Sequence, residues 1–226
     1  MGHFFLHLET ATTNCSVALS HDDKLVALKE ANAPKFRHSD HLHLFIDNVL
    51  QHAGISYAQL SAVAVSMGPG SYTGLRIGVS TAKGLCYANE VPLIAVNTLE
   101  VLARNIQPKA GQILIPMLDA RRMEVFTMHL DAQYHVIEPT TVKIITQETG
   151  AEFPKGQKLL FGSGAEKCQT FLNDASFSYP EVSPVPSAKN MISLVNEKFK
   201  NKVFEDVAYF EPFYLKDFYT TAPKAK

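Results

Sequence analysis

The sequence predicts an α/β protein of two lobes, each a mixed sheet flanked by helices. Three observations predict it. Short apolar runs alternate with segments of helical periodicity in the first part of the chain, a polar and breaking stretch at Gln107-Pro108-Lys109-Ala110-Gly111 interrupts them, and strand-like runs resume beyond it. With 226 residues the chain is long enough to bury a core on each side of that break. The lobes are therefore drawn as residues 1–106 and 107–226, the last segment of the second packing back on the first.

His3 to Glu9 is a short apolar run, and TATTN separates it from CSVALS, so two strands joined by a polar turn are expected. Lys24 to Glu30 alternates and completes a three-stranded antiparallel meander behind the Asp22-Asp23 turn. From His38, Leu42, Phe45, Ile46, Val49 and Leu50 recur at helical spacing, and Gly54 supplies the C-terminal stop. AVAVSM at 62–67 is a buried strand, Leu75 to Ala88 is helical, and VPLIAV at 91–96 is a further strand. Asn97 caps a short helix, with Glu100 placed to close a capping box. The order of three strands, helix, strand, helix, strand, helix requires parallel crossovers beside an antiparallel entry. Beyond the break, ILIPMLD, EVFTMHL, TVKIIT and KLLF read as strands, Ala165 to Asn173 as a helix, and the proline-rich 180–186 as irregular. Ser187 is expected to cap a last helix reaching about Asn201.

Composition excludes several functional classes. Hydrophobic residues make up 46% and charged residues 19% of the chain, as in ordinary globular domains, which excludes disorder and coiled coil. Lys and Arg number 21 against 22 acids, which argues against a chain that grips nucleic acid unaided; contact with RNA is expected only through a complex. Cys15, Cys86 and Cys168 are odd in number and widely spaced, as reduced thiols of a cytoplasmic protein are. No apolar run approaches the ~20 residues of a membrane span, so no membrane association is expected.

The stretch GPGSYTGLRIGVSTAK at 68–83 carries the most information. Strand, glycine loop and helix make a sound anion site, for which Thr10, Gly68, Gly70, Ser71 and Thr73 are the candidate residues. Neither GxxxxGK[ST] nor GxGxxG is matched, however. The other reading is packing: Gly74, Gly78 and Ala82 recur at spacings of four and form a smooth face against which a partner fits. Both readings stay open from the residues alone.

Three weaker constellations accompany it. His38, His41 and His43 surround Asp40, a thin case for a metal and a good one for a helix start capped by Ser39 or Asp40. Asp119-Ala120-Arg121-Arg122-Met123-Glu124 follows a strand and is either a small-anion clamp of adjacent guanidiniums or a hairpin charge cluster. Cys86, Ser66 and Ser71 lack the local signature of a nucleophile, since no Gly-x-Ser-x-Gly elbow is present.

HLETATTNCSVAL, GPGSYTGLRIGVSTAKGL, PLIAVNTLEVLA and PMLDARRMEVF, in this order, resemble the TsaB (YeaZ-like) family, and YLKDF near the C-terminus is similar to that family's ending. The resemblance implies an actin-like, Hsp70-like (ASKHA) fold and a non-catalytic subunit of the bacterial apparatus that forms threonylcarbamoyladenosine next to the anticodon of tRNA. It implies as partners the catalytic paralogue TsaD and the ATPase TsaE, and a homodimer when the chain is alone. In TsaD the corresponding segment carries two metal-binding histidines at i and i+4; here those positions are Thr98 and Leu102. A leucine has no lone pair to donate and a neutral hydroxyl is a poor ligand, so neither metal nor catalysis is expected. No cofactor of its own is expected, and any nucleotide would be shared at the complex interface, because the first loop, Glu9 to Asn14, has no glycine. The partner interface is expected on the first-lobe helices, at Leu42, Phe45, Ile46, Val49, Gly74, Gly78, Ala82 and Leu85.

Overall fold

A computed structural model of the chain describes residues 2–32 and 38–216, the side chain of His38 excepted. Strands β1 (Phe4–Glu9), β2 (Asn14–His21) and β3 (Lys24–Asn32) form the antiparallel meander. Helix α1 (His38–Ala53) then crosses to β4 (Leu60–Gly68), which pairs parallel to β1. Helix α2 (Tyr72–Asn89) crosses to β5 (Leu93–Asn97), parallel to β4, giving the order β3-β2-β1-β4-β5.

Both faces of this sheet are covered, which is why β1 and β4 read as near-continuous apolar runs. On one face Leu6, Leu8, Val17 and Leu19 meet Leu42, Ile46 and Val49 of α1 and Val79, Ala82 and Cys86 of α2. On the other, Phe5, Ala18, Ala62, Ala64, Ile94 and Val96 meet Ala188, Met191, Leu194 and Val195. Those last residues belong to a 3-10 turn, Ala188–Met191, and to α4 (Ile192–Lys200).

The second sheet is built from β6 (Ile113–Asp119), β7 (Glu124–Leu130), β8 (Val136–Ile144), β9 (Lys158–Phe161) and β10 (Phe177–Ser178), in the order β10-β9-β6-β7-β8. Read from its β8 edge, this is the succession of the first sheet again: third, second, first, fourth and fifth strand, with the same senses of pairing. The crossovers differ. Where the first lobe has α1 and α2, the second has 3-10 turns at Thr149–Glu152 and Glu166–Cys168.

Several sequence expectations are corrected. The expected helix from Ala165 to Asn173 is a chain of tight turns, with Ala165 N donating to Gly162 O at 3.0 Å and Cys168 N to Ala165 O at 3.0 Å. Apolar residues at 165, 168 and 171 recur every three, a spacing that suits 3-10 geometry as well as an α-helix. β8 begins at Val136 and runs through Pro139, which an edge strand tolerates. Ser187 caps nothing; its Oγ donates to Glu30 Oε2 at 2.7 Å and so ties the last helical segment to β3. Asn97 does cap α3 (Thr98–Ala103), accepting from Leu99 N at 2.8 Å, but Glu100 makes no reciprocal bond among the described residues.

Helix α3 joins the lobes. Val101 packs with the first sheet, while Leu99 and Leu102 enter the second core with Leu114, Leu118 and Phe161. After α4 the chain returns as a strap: Glu205 N bonds Leu93 O at 2.9 Å, and Lys83 Nζ of α2 donates to Phe210 O at 3.0 Å. Phe213 N then reaches Met67 O at 2.8 Å, and Lys216 Nζ donates to Ala120 O in the second lobe at 3.1 Å. Among the described residues no helix is long and apolar enough to cross a membrane.

Candidate functional site

The ends of β1, β4 and β5 and the starts of α2 and α3 meet at the junction of the lobes, where a doubly wound sheet ordinarily places its ligand. Here the chain itself occupies that place. Ser71 N donates to Ala11 O at 2.7 Å, and Thr10 Oγ1 donates to Gly74 O at 2.8 Å, so the first loop lies on the glycine loop and the opening turn of α2. A Cβ on Gly70 would stand 2.4 Å from Ala11 O, and one on Gly78 would stand 2.2 Å from Thr10 Oγ1. Gly68, at φ +115°, is left-handed where the backbone turns under Phe213 O, and the bond to Pro69 is cis.

These contacts correct the reading of Gly74, Gly78 and Ala82 as an outward face: all three are buried, and the first two lie under Thr10. They also bear on the candidate anion loop. Thr10 and the Ser71 N–H are committed inside the chain, and Ser71 Oγ accepts from Gly74 N at 3.3 Å as the cap of α2. Thr73 is exposed on the helix. Thr10 Oγ1 and the Ser71 and Gly74 N–H groups are thus taken up inside the chain, which leaves fewer donors at this helix start than an open anion loop offers.

Beneath the loops sits a fully buried carboxyl. Glu9 Oε1 accepts from Ala11 N at 2.7 Å and from Ser66 Oγ at 3.0 Å, whereas Oε2 has no partner among the described residues. Burial pushes the Glu9 pKa up to about 7, against the downward pull of those two hydrogen bonds. His7, two residues earlier on β1, bonds Ser20 Oγ at 2.9 Å and is pushed down to about 3 by burial, so it stays neutral.

Thr98 is also fully buried and its Oγ1 unpartnered. Leu102 is fully buried, and its Cδ2 lies 2.6 Å from where a Gly162 Cβ would stand. Leu102 is thus packed into the second core beside Gly162.

The remaining candidates are placed as follows. Leu42, Ile46 and Val49 face the first core, while Phe45 and Leu85 are half-buried. His41 stacks on Phe45 with centroids 5.4 Å apart; Arg37 and the side chain of His38 lie outside the described residues, as do Asp217 and Phe218 of YLKDF. Asp40 stands in the first turn of α1, which begins at His38 rather than after Ser39. Burial pushes the Cys86 thiol up to about 12, and Ser66 is enclosed, so neither is a nucleophile open to substrate. Sequence reasoning missed a second small-residue row on α2: Ser80, Gly84 and Ala88 are exposed, and Gly84 has nothing within 4 Å of a built Cβ. They sit roughly a third of a turn from the Gly74 row. Their spacing of four was legible, but which row faced outward was not.

Two sheets of one plan, joined by a shared helix and meeting over a central junction, define an actin-like, Hsp70-like (ASKHA) α/β protein. The family model described as TsaD, tRNA N6-adenosine threonylcarbamoyltransferase, matches residues 33–224. The TsaB tRNA threonylcarbamoyladenosine biosynthesis protein of Escherichia coli K12 is 28% identical over 224 residues, 94% of each chain. That of Bacillus subtilis 168 is 35% identical over 122 residues, 54% of this chain and 52% of its own. The solved YeaZ of Pseudomonas aeruginosa superposes with a TM-score of 0.81 at 23% identity, over 94% of this chain and all of its own. The chain belongs to the TsaD family, and within it is of the TsaB (YeaZ-like) type.

Two outcomes follow from this geometry. Gly84→Ala should raise stability by up to about 1 kcal/mol, because alanine is the better helix former and has open space there. Gly78→Ala should instead lower it by about 1–3 kcal/mol through the Thr10 clash, and equal shifts in urea midpoints would contradict the interlock. For Glu9, a folded pKa raised from the ordinary 4.5 to about 7 means that its stabilisation is complete below pH 4.5 and lost as pH rises through 7. Glu9→Gln keeps the Oε1 acceptor and should be the more stable form at pH 8, by up to about 3 kcal/mol, with the difference shrinking towards pH 4.5. Parallel stability curves for the two proteins across that window would refute the buried neutral acid.

Proposed function

We propose that this chain is the non-catalytic subunit of the machinery that transfers threonylcarbamoyl to the adenosine beside the tRNA anticodon, and that it acts by binding the catalytic paralogue TsaD. One observation carries the reading. Leu102 stands where the resemblance places a metal-binding histidine, and it is packed into the core against Gly162. The end-to-end similarity to a TsaB biosynthesis protein supports it.

The partner surface is the outer side of α1 and α2. Leu44 is 59% exposed and Tyr87 83% exposed, on the faces turned away from the sheet, beside half-buried Phe45 and Leu85. The row Ser80, Gly84, Ala88 lets a second helix come close, and Gly84 carries a helix penalty of ~1 kcal/mol that no contact among the described residues explains. Two such helix pairs make a four-helix interface, so TsaD and a second copy of this chain compete for one surface. The chain would then hold TsaD in its transferring conformation, with TsaE resetting the assembly and any nucleotide lying at the interfaces between subunits.

Light scattering on mixtures with TsaD tests this. The parent should form a heterodimer at the expense of its homodimer, and Gly84→Leu should weaken both by at least ~10-fold while leaving the monomer folded, because it fills the approach without touching the core. Unchanged association of Gly84→Leu, or threonylcarbamoyl transfer or ATP turnover by the isolated chain, would overturn the proposal.

A further inference from the structure

The β6–β7 turn takes no part in the junction just described, yet it is the most heavily braced loop in the second lobe. Arg121 and Arg122 occupy consecutive left-handed conformations, φ +70° and +51°, where glycine or asparagine is the unstrained choice. Non-glycine residues persist in such conformations only where surrounding structure over-determines them. Lys167 Nζ donates to Arg122 O and Glu124 O, each at 2.7 Å, and also to Asp119 Oδ1, which in turn accepts from Arg121 N at 3.0 Å. From the C-terminal strap, Lys216 Nζ donates to Ala120 O at 3.1 Å and to Glu124 Oε2 at 2.5 Å.

The consequence is electrostatic. Both acids of the turn, Asp119 and Glu124, are neutralised by lysines. Arg121 and Arg122 are exposed and have no acidic partner among the described residues. A chain whose overall charge is −1 therefore displays, at consecutive positions of a braced turn, two arginines with no acidic partner among the described residues. The same strap carries an aromatic ring two residues before the lysine that braces the turn. Tyr214, two residues before Lys216, is 39% exposed and lies 5.0 Å from the Tyr72 ring, over which Arg76 is placed at 5.0 Å. Adjacent guanidiniums suit phosphate oxygens, and an exposed ring on the bracing strap suits a base.

We propose that the Arg121-Arg122 turn, together with Tyr214 of the strap that braces it, binds the RNA backbone, so that this chain contacts tRNA directly instead of only through its catalytic partner. The identity of the RNA rests on the function proposed above; the phosphate chemistry does not. Each guanidinium neutralises one phosphate, and the tyrosine ring stacks an unpaired base. The lysines set the geometry of the turn without meeting the RNA.

Binding of a fluorescent tRNA transcript to the complex with TsaD, measured by anisotropy against salt concentration, tests this. Arg121→Gly/Arg122→Gly relieves the left-handed strain, so its melting temperature should equal or exceed the parent's. Its affinity for tRNA should fall about 10-fold or more, and the salt slope should flatten by roughly 1.5, the loss of about two phosphate contacts. Arg121→Lys/Arg122→Lys should keep most of the salt slope, and Tyr214→Ala should lower affinity without changing it. Association with TsaD, followed separately by light scattering, should be unchanged in every variant. Unaltered tRNA affinity and salt slope in the glycine variant would overturn the RNA site and leave the scaffold role standing. Loss of TsaD association in that variant would also overturn it, by assigning the turn to a protein interface.

Discussion

The contact on which the molecule turns is the seating of the β1–β2 loop on the start of α2. Ala11 approaches Gly70 and Thr10 approaches Gly78 more closely than any side chain would permit, and hydrogen bonds from Thr10 Oγ1 and Ser71 N close the gap. In an α/β fold this is where strand ends and helix starts leave polar groups free for a ligand. Satisfying several of those groups with another part of the same chain stiffens the junction. It also explains why a glycine-rich loop survives without the lysine of a nucleotide site: its glycines are needed for backbone proximity.

The two lobes repeat one strand order and have diverged in their crossovers. The first keeps two full helices, whose inner faces form its core and whose outer faces carry exposed residues such as Leu44 and Tyr87. The second has reduced the equivalent connections to 3-10 turns, and its β6–β7 corner is braced by lysines from two separate segments. The strap after α4 ties these parts together, passing from Leu93 past Lys83 and Met67 to Ala120.

Buried polarity is handled in the same spirit. Glu9 and His7 both lie on β1, fully enclosed, and burial pushes their pKa values in opposite directions, so that each tends to neutrality. A neutral acid hydrogen-bonded to Ser66 and Ala11 is a structural pin beneath the loops.

Alternation and periodicity alone identified the meander, α1, β4, α2 and β5, because each buries a continuous face and its pattern therefore repeats along the chain. The same local logic marked Gly54 as a stop and Asn97 as a cap, whereas setting Thr98 and Leu102 against ligand histidines is what the family resemblance implies. What periodicity does not contain is orientation about the helix axis. Gly74-Gly78-Ala82 and Ser80-Gly84-Ala88 are equivalent as strings, and only the arrival of Thr10 from β1 decides which is inside. The three-residue spacing of Ala165, Cys168 and Phe171 was ambiguous for the same kind of reason, and Ser187 found Glu30 on a distant strand in place of its own helix. Those outcomes depend on residues far apart in sequence, whose meeting is a property of the assembled sheets and not of any local stretch of chain.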